Sequence, residues 1–219
     1  VTKWTYNTKI PSYGATGWWD KSAYKEGMVL GDIWGLQFDR FLTEDDFNAD
    51  GSLKAGLPDQ TKVFPAGYQF APGDVLYKDL DNNGEIVKQT NTNDRGDLSV
   101  IGNALPRLQF GLNLDAAWKG FDISMFFQGV AKRKLWAAGN QVLPGFTTGE
   151  PFYKGAEDYW TPENTDAFYP RAMDYKQSAS GNYSVNDRYL LNMAYLRLKT
   201  FTVGYSLPKV WLSKFKVQG

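Results

Sequence analysis

From Arg107 to Gly129 the chain alternates apolar and polar residues on both sides of a tight turn, a period of two that commits this stretch to a β-hairpin with unlike faces. Leu108, Phe110, Leu112, Leu114, Ala116 and Trp118 fall on one face, and Arg107, Gln109, Asn113 and Asp115 on the other. After Lys119-Gly120 the pattern resumes with Phe121, Ile123, Met125 and Phe127 on one side and Asp122, Ser124 and Gln128 on the other. Each arm is roughly ten residues long, about what a tilted strand needs to cross the hydrocarbon core of a bilayer. A soluble sheet uses the same period, so the flanks must discriminate. Trp118 and Phe121 bracket the turn as interfacial aromatics do, and the connections to either side are much longer than those of a soluble meander.

No stretch approaches the roughly 18 apolar residues of a membrane helix, so any membrane contact is expected through β-structure. The 219 residues carry 24 basic and 24 acidic side chains, which leaves no net field to attract nucleic acid. Aromatic residues make up 16% of the chain, with 8 Trp and 13 Tyr, an excess that suits membrane girdles or sugar-stacking platforms and also a large β-protein. Cys and His are absent, which excludes thiol nucleophiles, Cys/His zinc sites and His-dependent triads within this chain. Val1 is not an initiator and no charged-then-apolar leader follows it, so the chain reads as a mature or internal piece of a longer protein.

Four stretches follow from this pattern. Residues 1–106 are rich in Gly, Asp, Asn, Pro and aromatics, with short strand-like runs such as Leu30 to Phe38 and too many glycines and prolines for long helices. Residues 107–130 form the hairpin, and 131–188 a second long irregular stretch. Residues 189–219 hold a strand from Tyr195 to Leu207, a turn over Pro208 to Lys214, and the start of another strand at Phe215. The Tyr195 strand changes phase: Leu196 and Leu198 are on one face by simple alternation and Phe201, Val203, Tyr205 and Leu207 on the other. A bulge, or a switch from lumen to lipid packing, is therefore expected near Lys199-Thr200. In a membrane barrel the short turns are periplasmic and the long loops extracellular. That rule puts 1–106 and 131–188 outside the cell. So few spanning segments cannot close a barrel alone.

The order of several motifs resembles the SusC/RagA-like TonB-dependent outer-membrane transporters of Bacteroidetes. The motifs are Gly73-Asp74-Val75-Leu76-Tyr77-Lys78-Asp79-Leu80-Asp81-Asn82-Asn83-Gly84-Glu85-Ile86, Ile101-Gly102-Asn103-Ala104-Leu105-Pro106, Lys119-Gly120-Phe121-Asp122-Ile123-Ser124 and Phe126-Phe127-Gln128-Gly129. Tyr159-Trp160-Thr161-Pro162-Glu163-Asn164 with Pro170-Arg171, then Tyr195-Leu196-Arg197-Leu198-Lys199 and Gly204-Tyr205-Ser206-Leu207-Pro208, continue the match to the end, while residues 1–72 match loosely. The resemblance implies an all-β fold: a late, C-terminal-proximal portion of a 22-stranded antiparallel transmembrane β-barrel with a plugged lumen and long extracellular loops. It also implies a cell outer-membrane location, a SusD-like surface lipoprotein as lid, TonB coupling through an N-terminal region that this chain lacks, and import of oligosaccharides or, in some members, peptides. A secreted β-rich glycan-binding module is the alternative left open by the residues themselves.

Two sets of candidate site residues stand out. Asp79, Asp81, Asn83 and the Glu85 carbonyl fit the first half of a calcium-loop pattern, in which alternate oxygens on a tight loop converge on one ion. Thr90 occupies the place of the closing bidentate Glu, and Asp94 or Asp97 would have to fold back to replace it. A metal-free polar turn uses the same residue types. Trp136, Tyr153, Tyr159 and Trp160, with Trp18 and Trp19 second, are the candidate substrate-binding aromatics, because aromatic faces stack on sugar rings while nearby polar groups bind hydroxyls. The adjacent carboxylates Asp45-Asp46 and Glu157-Asp158 invite a glycosidase reading, but such pairs on loops are ordinarily solvated. No catalytic residue is assigned and no enzyme is expected.

Overall fold

The computed structural model describes residues 29–88, 95–146, 152–173, 181–208 and Trp211. Among them are nine strands: β1 (Asp32–Gly35), β2 (Phe38–Phe41), β3 (Val75–Tyr77), β4 (Ser99–Asn103), β5 (Leu108–Trp118), β6 (Phe121–Ala131), β7 (Lys134–Leu135), β8 (Leu191–Asn192) and β9 (Tyr195–Tyr205). Among the described residues from 29 to 208 the helical elements are single 3-10 turns at Glu44–Asp46, Thr61–Val63 and Gly181–Tyr183. No helix among the described residues is long and apolar enough to cross a membrane. The all-β expectation holds, and two compact units carry it.

One unit runs from Pro106 to Arg133 and from Met193 onward. It is a three-stranded antiparallel sheet in the order β5-β6-β9, each strand of 11 residues. At about 3.3 Å per residue and a tilt near 45°, such a strand spans about 25 Å along a membrane normal, the height of a barrel's apolar band. The β5–β6 pairing is unbroken from Leu108↔Ala131 to Trp118↔Phe121. Lys119 and Gly120 both have positive φ, 47° and 91°, the two-residue turn whose twist matches a hairpin. Ser206 N–H donates to the Gly120 carbonyl at 2.7 Å and holds the end of β9 beside this turn.

The predicted phase change in the third strand is a bulge. Phe126 faces Thr200 while Phe127 faces Leu198, so Lys199 is the unpaired residue. Without it, Leu196 and Leu198 would share a face with Thr200 and Thr202. With it, Leu196 and Leu198 align with Gly129 and Phe127, and Phe201, Val203 and Tyr205 align with Met125, Ile123 and Phe121. One face of the sheet is thereby apolar throughout, and the other carries Gln109, Asn113, Asp115, Asp122, Ser124, Gln128, Arg197, Thr200 and Thr202. The apolar face is open: Leu196 is 64% exposed, Phe201 58% and Trp118 69%. Among the described residues nothing covers this apolar surface, and eleven-residue alternating strands match the length of membrane-barrel strands.

The other unit combines the described residues up to Leu105 with Lys134–Asn192. Its sheets are short antiparallel pairs, β1-β4, β2-β3 and β7-β8. The single run expected from Leu30 to Phe38 is split into β1 and the start of β2. Gly35 explains the break: a Cβ there would lie 2.5 Å from Ile101 Cδ1 and 2.6 Å from the Val185 carbonyl, so 184–187 passes where only a glycine fits. Leu36 then bonds to that crossing segment, its N–H donating to Val185 O at 2.9 Å. The main core joins Leu36, Phe41, Val63, Phe64, Val75, Tyr77, Ile86 and Leu98 to Trp160 and Ala167 from the second irregular stretch. A smaller cluster packs Leu143, Tyr183 and Tyr189 with Trp136 and Phe146.

Deleting Lys199 is expected to slip the β6–β9 register by one residue and turn half of one strand's apolar side chains to the polar face. The heat-modifiable compact band on a detergent gel should disappear for this deletion and persist for Lys199→Ala; a compact band for the deletion would show that the bulge does not set the register.

Candidate functional site

The acidic turn after β3 is organised by its own backbone. The Asp79 carboxylate accepts N–H bonds from Asn82 (2.7 Å), Asn83 (3.3 Å) and Gly84 (2.8 Å), and Asp81 accepts from Asn83 N–H at 3.1 Å. Asn82 and Gly84 take positive φ, 60° and 84°, which is why Asn and Gly occupy the bend. Asp97 folds back onto the turn, where it is buried and accepts N–H bonds from Leu80 at 2.7 Å and Val87 at 2.8 Å. One oxygen each of Asp79, Asp81 and Asp97 lies within 4.8 Å of the others, inside the span of ligands around one calcium ion at 2.3–2.6 Å. Burial pushes the Asp97 carboxyl up, the Val87 and Leu80 N–H groups oppose this, and the charges of Asp81 and Asp79 add to it. A cation would relieve that repulsion. Of the other two expected ligands, Asn83 Oδ1 accepts from Glu85 N–H at 2.8 Å; the Glu85 carboxylate, which is not the group expected to ligate, pairs with the Lys62 ammonium.

A second polar centre surrounds Asp74, which is fully buried. Arg171 grips it with two donors, Nε to Oδ1 at 2.8 Å and a terminal nitrogen to Oδ2 at 3.2 Å. Tyr68 Oη (2.8 Å), Ala71 N–H (2.9 Å) and Asn182 Nδ2 (2.9 Å) complete the shell. Burial and the adjacent Asp74 charge push the Tyr68 hydroxyl up, so it stays a donor.

Beside this centre the chain forms a small open hollow lined by Pro144, Phe152, Tyr159, Tyr169, Pro170 and Arg171, with Ala156, Ala172 and Tyr183. Tyr159 and Tyr169 are brought side by side by a parallel bridge in which Trp160 N–H donates to Tyr169 O and Tyr169 N–H to Asp158 O, both at 3.0 Å. Asp158 fixes the turn between them, its carboxylate accepting from Phe168 N–H at 3.0 Å and Asn164 Nδ2 at 3.2 Å. In the other carboxylate pair, the Arg40 guanidinium donates to Asp46 and holds its pKa down at about 2, the opposite of what a general acid requires.

The expected aromatics separate by environment. Tyr159 is 41% exposed and lines the hollow, and Tyr153 is 45% exposed nearby in sequence. Trp136 is partly buried against the Leu143–Tyr183–Tyr189 cluster. Trp160 is only 7% exposed and belongs to the main core, where its ring lies so close to Gly73 that a Cβ would come within 2.5 Å. Trp18 and Trp19 lie outside the described residues. Phe152, Tyr169 and Arg171 line the hollow without having been singled out; Pro170-Arg171 carried a motif signal, but the bridge that makes Tyr169 a neighbour of Tyr159 has no local signature.

No family model matches the chain. It is 28% identical over 200 residues to TonB-dependent receptor P3 of Formosa agariphila, an overlap of 89% of this chain and 17% of the relative. It is 35% identical over 132 residues to TonB-dependent receptor P26 of the same organism, covering 58% of this chain and 12% of the relative. The chain thus spans less than a fifth of either curated relative, 17% and 12%. Both relatives bear out the resemblance to TonB-dependent transporters that the motifs indicated, and they are consistent with the SusC-like type.

Arg171→Met is expected to leave the Asp74 carboxylate uncompensated at a cost of about 3–5 kcal/mol. Hydrogen exchange of amides in 68–75 and 181–184 should accelerate about a hundredfold or more, and Asp74→Asn in the same chain should recover part of the loss. Unchanged exchange in Arg171→Met would mean that the pair is dispensable. For the acidic turn, millimolar calcium is expected to slow exchange across 79–87 in the parent and to have no effect in Asp97→Asn; an absent calcium response in the parent removes the ion from this turn.

Proposed function

We propose that this chain is part of a TonB-dependent outer-membrane transporter that imports oligosaccharides through a SusC-like barrel lidded by a SusD-like lipoprotein. The observation that carries the reading is the β5-β6-β9 sheet, whose Lys199 bulge keeps one face apolar over three eleven-residue strands. Similarity to two TonB-dependent receptors supports it. In this account the apolar face meets lipid, and the opposite face, with Gln109, Asp115, Arg197 and Thr202, lines a wet lumen. The two-residue turn at Lys119-Gly120 is periplasmic, where Trp118 and Tyr205 sit at the interface, and the long connection from β6 to β9 is extracellular together with 1–106.

The transport step would combine capture of the glycan on the aromatic loops with release by TonB acting on a plug outside this chain. The loop residues bind and orient; they carry out no bond chemistry. Calcium, where bound, would be held by Asp79, Asp81 and Asp97 and would stiffen the turn after β3.

The test is extraction of the parent polypeptide from outer membranes. A detergent-soluble protein near a hundred kilodaltons, compact on gels until boiled and co-purifying with a lipoprotein, is expected. Uptake of a labelled oligosaccharide by cells should stop when TonB is deleted. A water-soluble parent of about this chain's size would replace the reading with a secreted binding module, and TonB-dependent uptake of peptides alone would replace the substrate.

A further inference from the structure

We propose that Asn83-Gly84 is a deamidation site held unreactive by the hydrogen bonds of the acidic turn, so that opening the turn converts it once and irreversibly. Asn-Gly occurs at this one place in the 219 residues. Glycine in the second position makes the pair labile, because with no Cβ beside it the backbone nitrogen reaches the side-chain carbonyl carbon of the residue before it. The Gly84 nitrogen attacks Asn83 Cγ and its proton passes to solvent. The Cγ–Nδ2 bond breaks, and ammonia leaves with a proton from water. Water then opens the cyclic imide at Cγ to give Asp, or at the Asn83 main-chain carbonyl to give isoaspartate, with the chain running through Cγ. Both residues are exposed, so burial does not keep water from them.

What restrains them is that each reacting atom is already bonded. Gly84 N–H, the nucleophile, donates to Asp79 Oδ2 at 2.8 Å. Asn83 Nδ2, the leaving nitrogen, donates to Asp81 Oδ2 at 3.0 Å, and Asn83 Oδ1 accepts Glu85 N–H at 2.8 Å. Closing the imide ring requires the Asn83 side chain to rotate and the Gly84 peptide to turn its face toward Cγ, and both motions break these bonds. Reaction is therefore confined to molecules in which the turn is open, at the rate of a free peptide multiplied by the open fraction. Reclosure cannot undo it. Asp at 83 replaces the donor to Asp81 with a like charge, next to two carboxylates that bond the same backbone. Isoaspartate adds a methylene to the main chain, so the N–H groups of 82, 83 and 84 lose the spacing at which the Asp79 carboxylate accepts all three.

The experiment follows the tryptic peptide 79–88, bounded by Lys78 and Lys88, by mass spectrometry. The detergent-solubilised full-length parent is incubated in mildly alkaline buffer with a chelator, beside a synthetic peptide of the same sequence. Deamidation at Asn83 should run about tenfold or more slower in the parent than in the peptide, and Asp79→Ala should bring it within about twofold of the peptide. Asp81→Ala, which removes the partner of the leaving nitrogen, gives a second reading where Asp79→Ala loses the heat-modifiable band. Asn83→Asp, which carries the product's charge from the start, should speed hydrogen exchange of amides 82–85 about tenfold. A parent that deamidates as fast as the free peptide overturns the protection, whatever the variants do. A slow parent with equally slow Asp79→Ala and Asp81→Ala variants removes the turn's bonds as the cause. Unchanged exchange in Asn83→Asp removes the one-way step.

Discussion

A carboxylate taken wholly out of water costs several kcal/mol unless donors replace its hydration, and Asp74 receives donors from Tyr68, Ala71, Arg171 and Asn182. Tyr68 and Ala71 belong to the same stretch as Asp74, but Arg171 and Asn182 are 97 and 108 residues away, so satisfying one charge ties three segments together. The ties extend outward from the same groups. Asn182 uses its amide oxygen to accept Val75 N–H at 2.7 Å, and Arg171 N–H donates to the Gly73 carbonyl at 3.0 Å. Strand β3 is consequently paired on one edge by β2 and on the other by side-chain amides: Gln60 donates to the Val75 carbonyl and accepts from Tyr77 N–H. In a unit with so little regular sheet, buried amides take the place of strands in meeting the backbone's demand for partners.

The three-stranded sheet meets that demand in the opposite way, by regular pairing, and spends its irregularity at one residue. Lys199 restores the phase of β9 so that Leu196, Leu198, Phe201, Val203 and Tyr205 face the same side as the alternating apolar residues of β5 and the Phe121-to-Phe127 series of β6. Glycines inside the strands lie against aromatic rings. Phe110 covers Gly129 directly across the pair, and Phe126 lies over Gly111, with a hypothetical Cβ only 2.9 Å from its ring. Each ring lies over the flat strip that the absent side chain leaves, so a strand position that would otherwise be weak becomes a packing surface.

How much of this was legible in the sequence depends on whether the controlling interaction was local. The hairpin, its turn and the need for a bulge near Lys199-Thr200 were visible because alternation and turn chemistry are short-range. The split at Gly35 was not, because its cause is Val185, 150 residues away in the chain. Asp97 could be named beside Asp94 as a residue able to fold back on the acidic turn, but its bonds to Leu80 and Val87 N–H could not be seen, since they are set by how the chain returns to the turn. Trp160 and Tyr159 are neighbours with the same stacking chemistry. Which of them faces solvent was decided by Gly73, whose missing side chain admits the Trp160 ring to the core and leaves Tyr159 on the hollow.

Arg171 belongs both to the network around Asp74 and to the lining of the hollow, so the chemistry of the loop surface is tied to the stability of the loops beneath it. A guanidinium fixed by two bonds cannot swing toward a passing anion without breaking an ion pair whose other half is buried. The surface therefore presents the outline of an arginine with its charge already used. Loops ordinarily trade precision for variability, and sites built on them are looser than sites on strands. Here the polar shell that anchors Arg171 and the tyrosine stack behind Tyr169 restore the precision, and the variable part is confined to the open rings of Phe152 and Tyr159. Neither ring is among the groups that bond Asp74, so exchanging those two side chains leaves the centre that ties the unit's segments together in place.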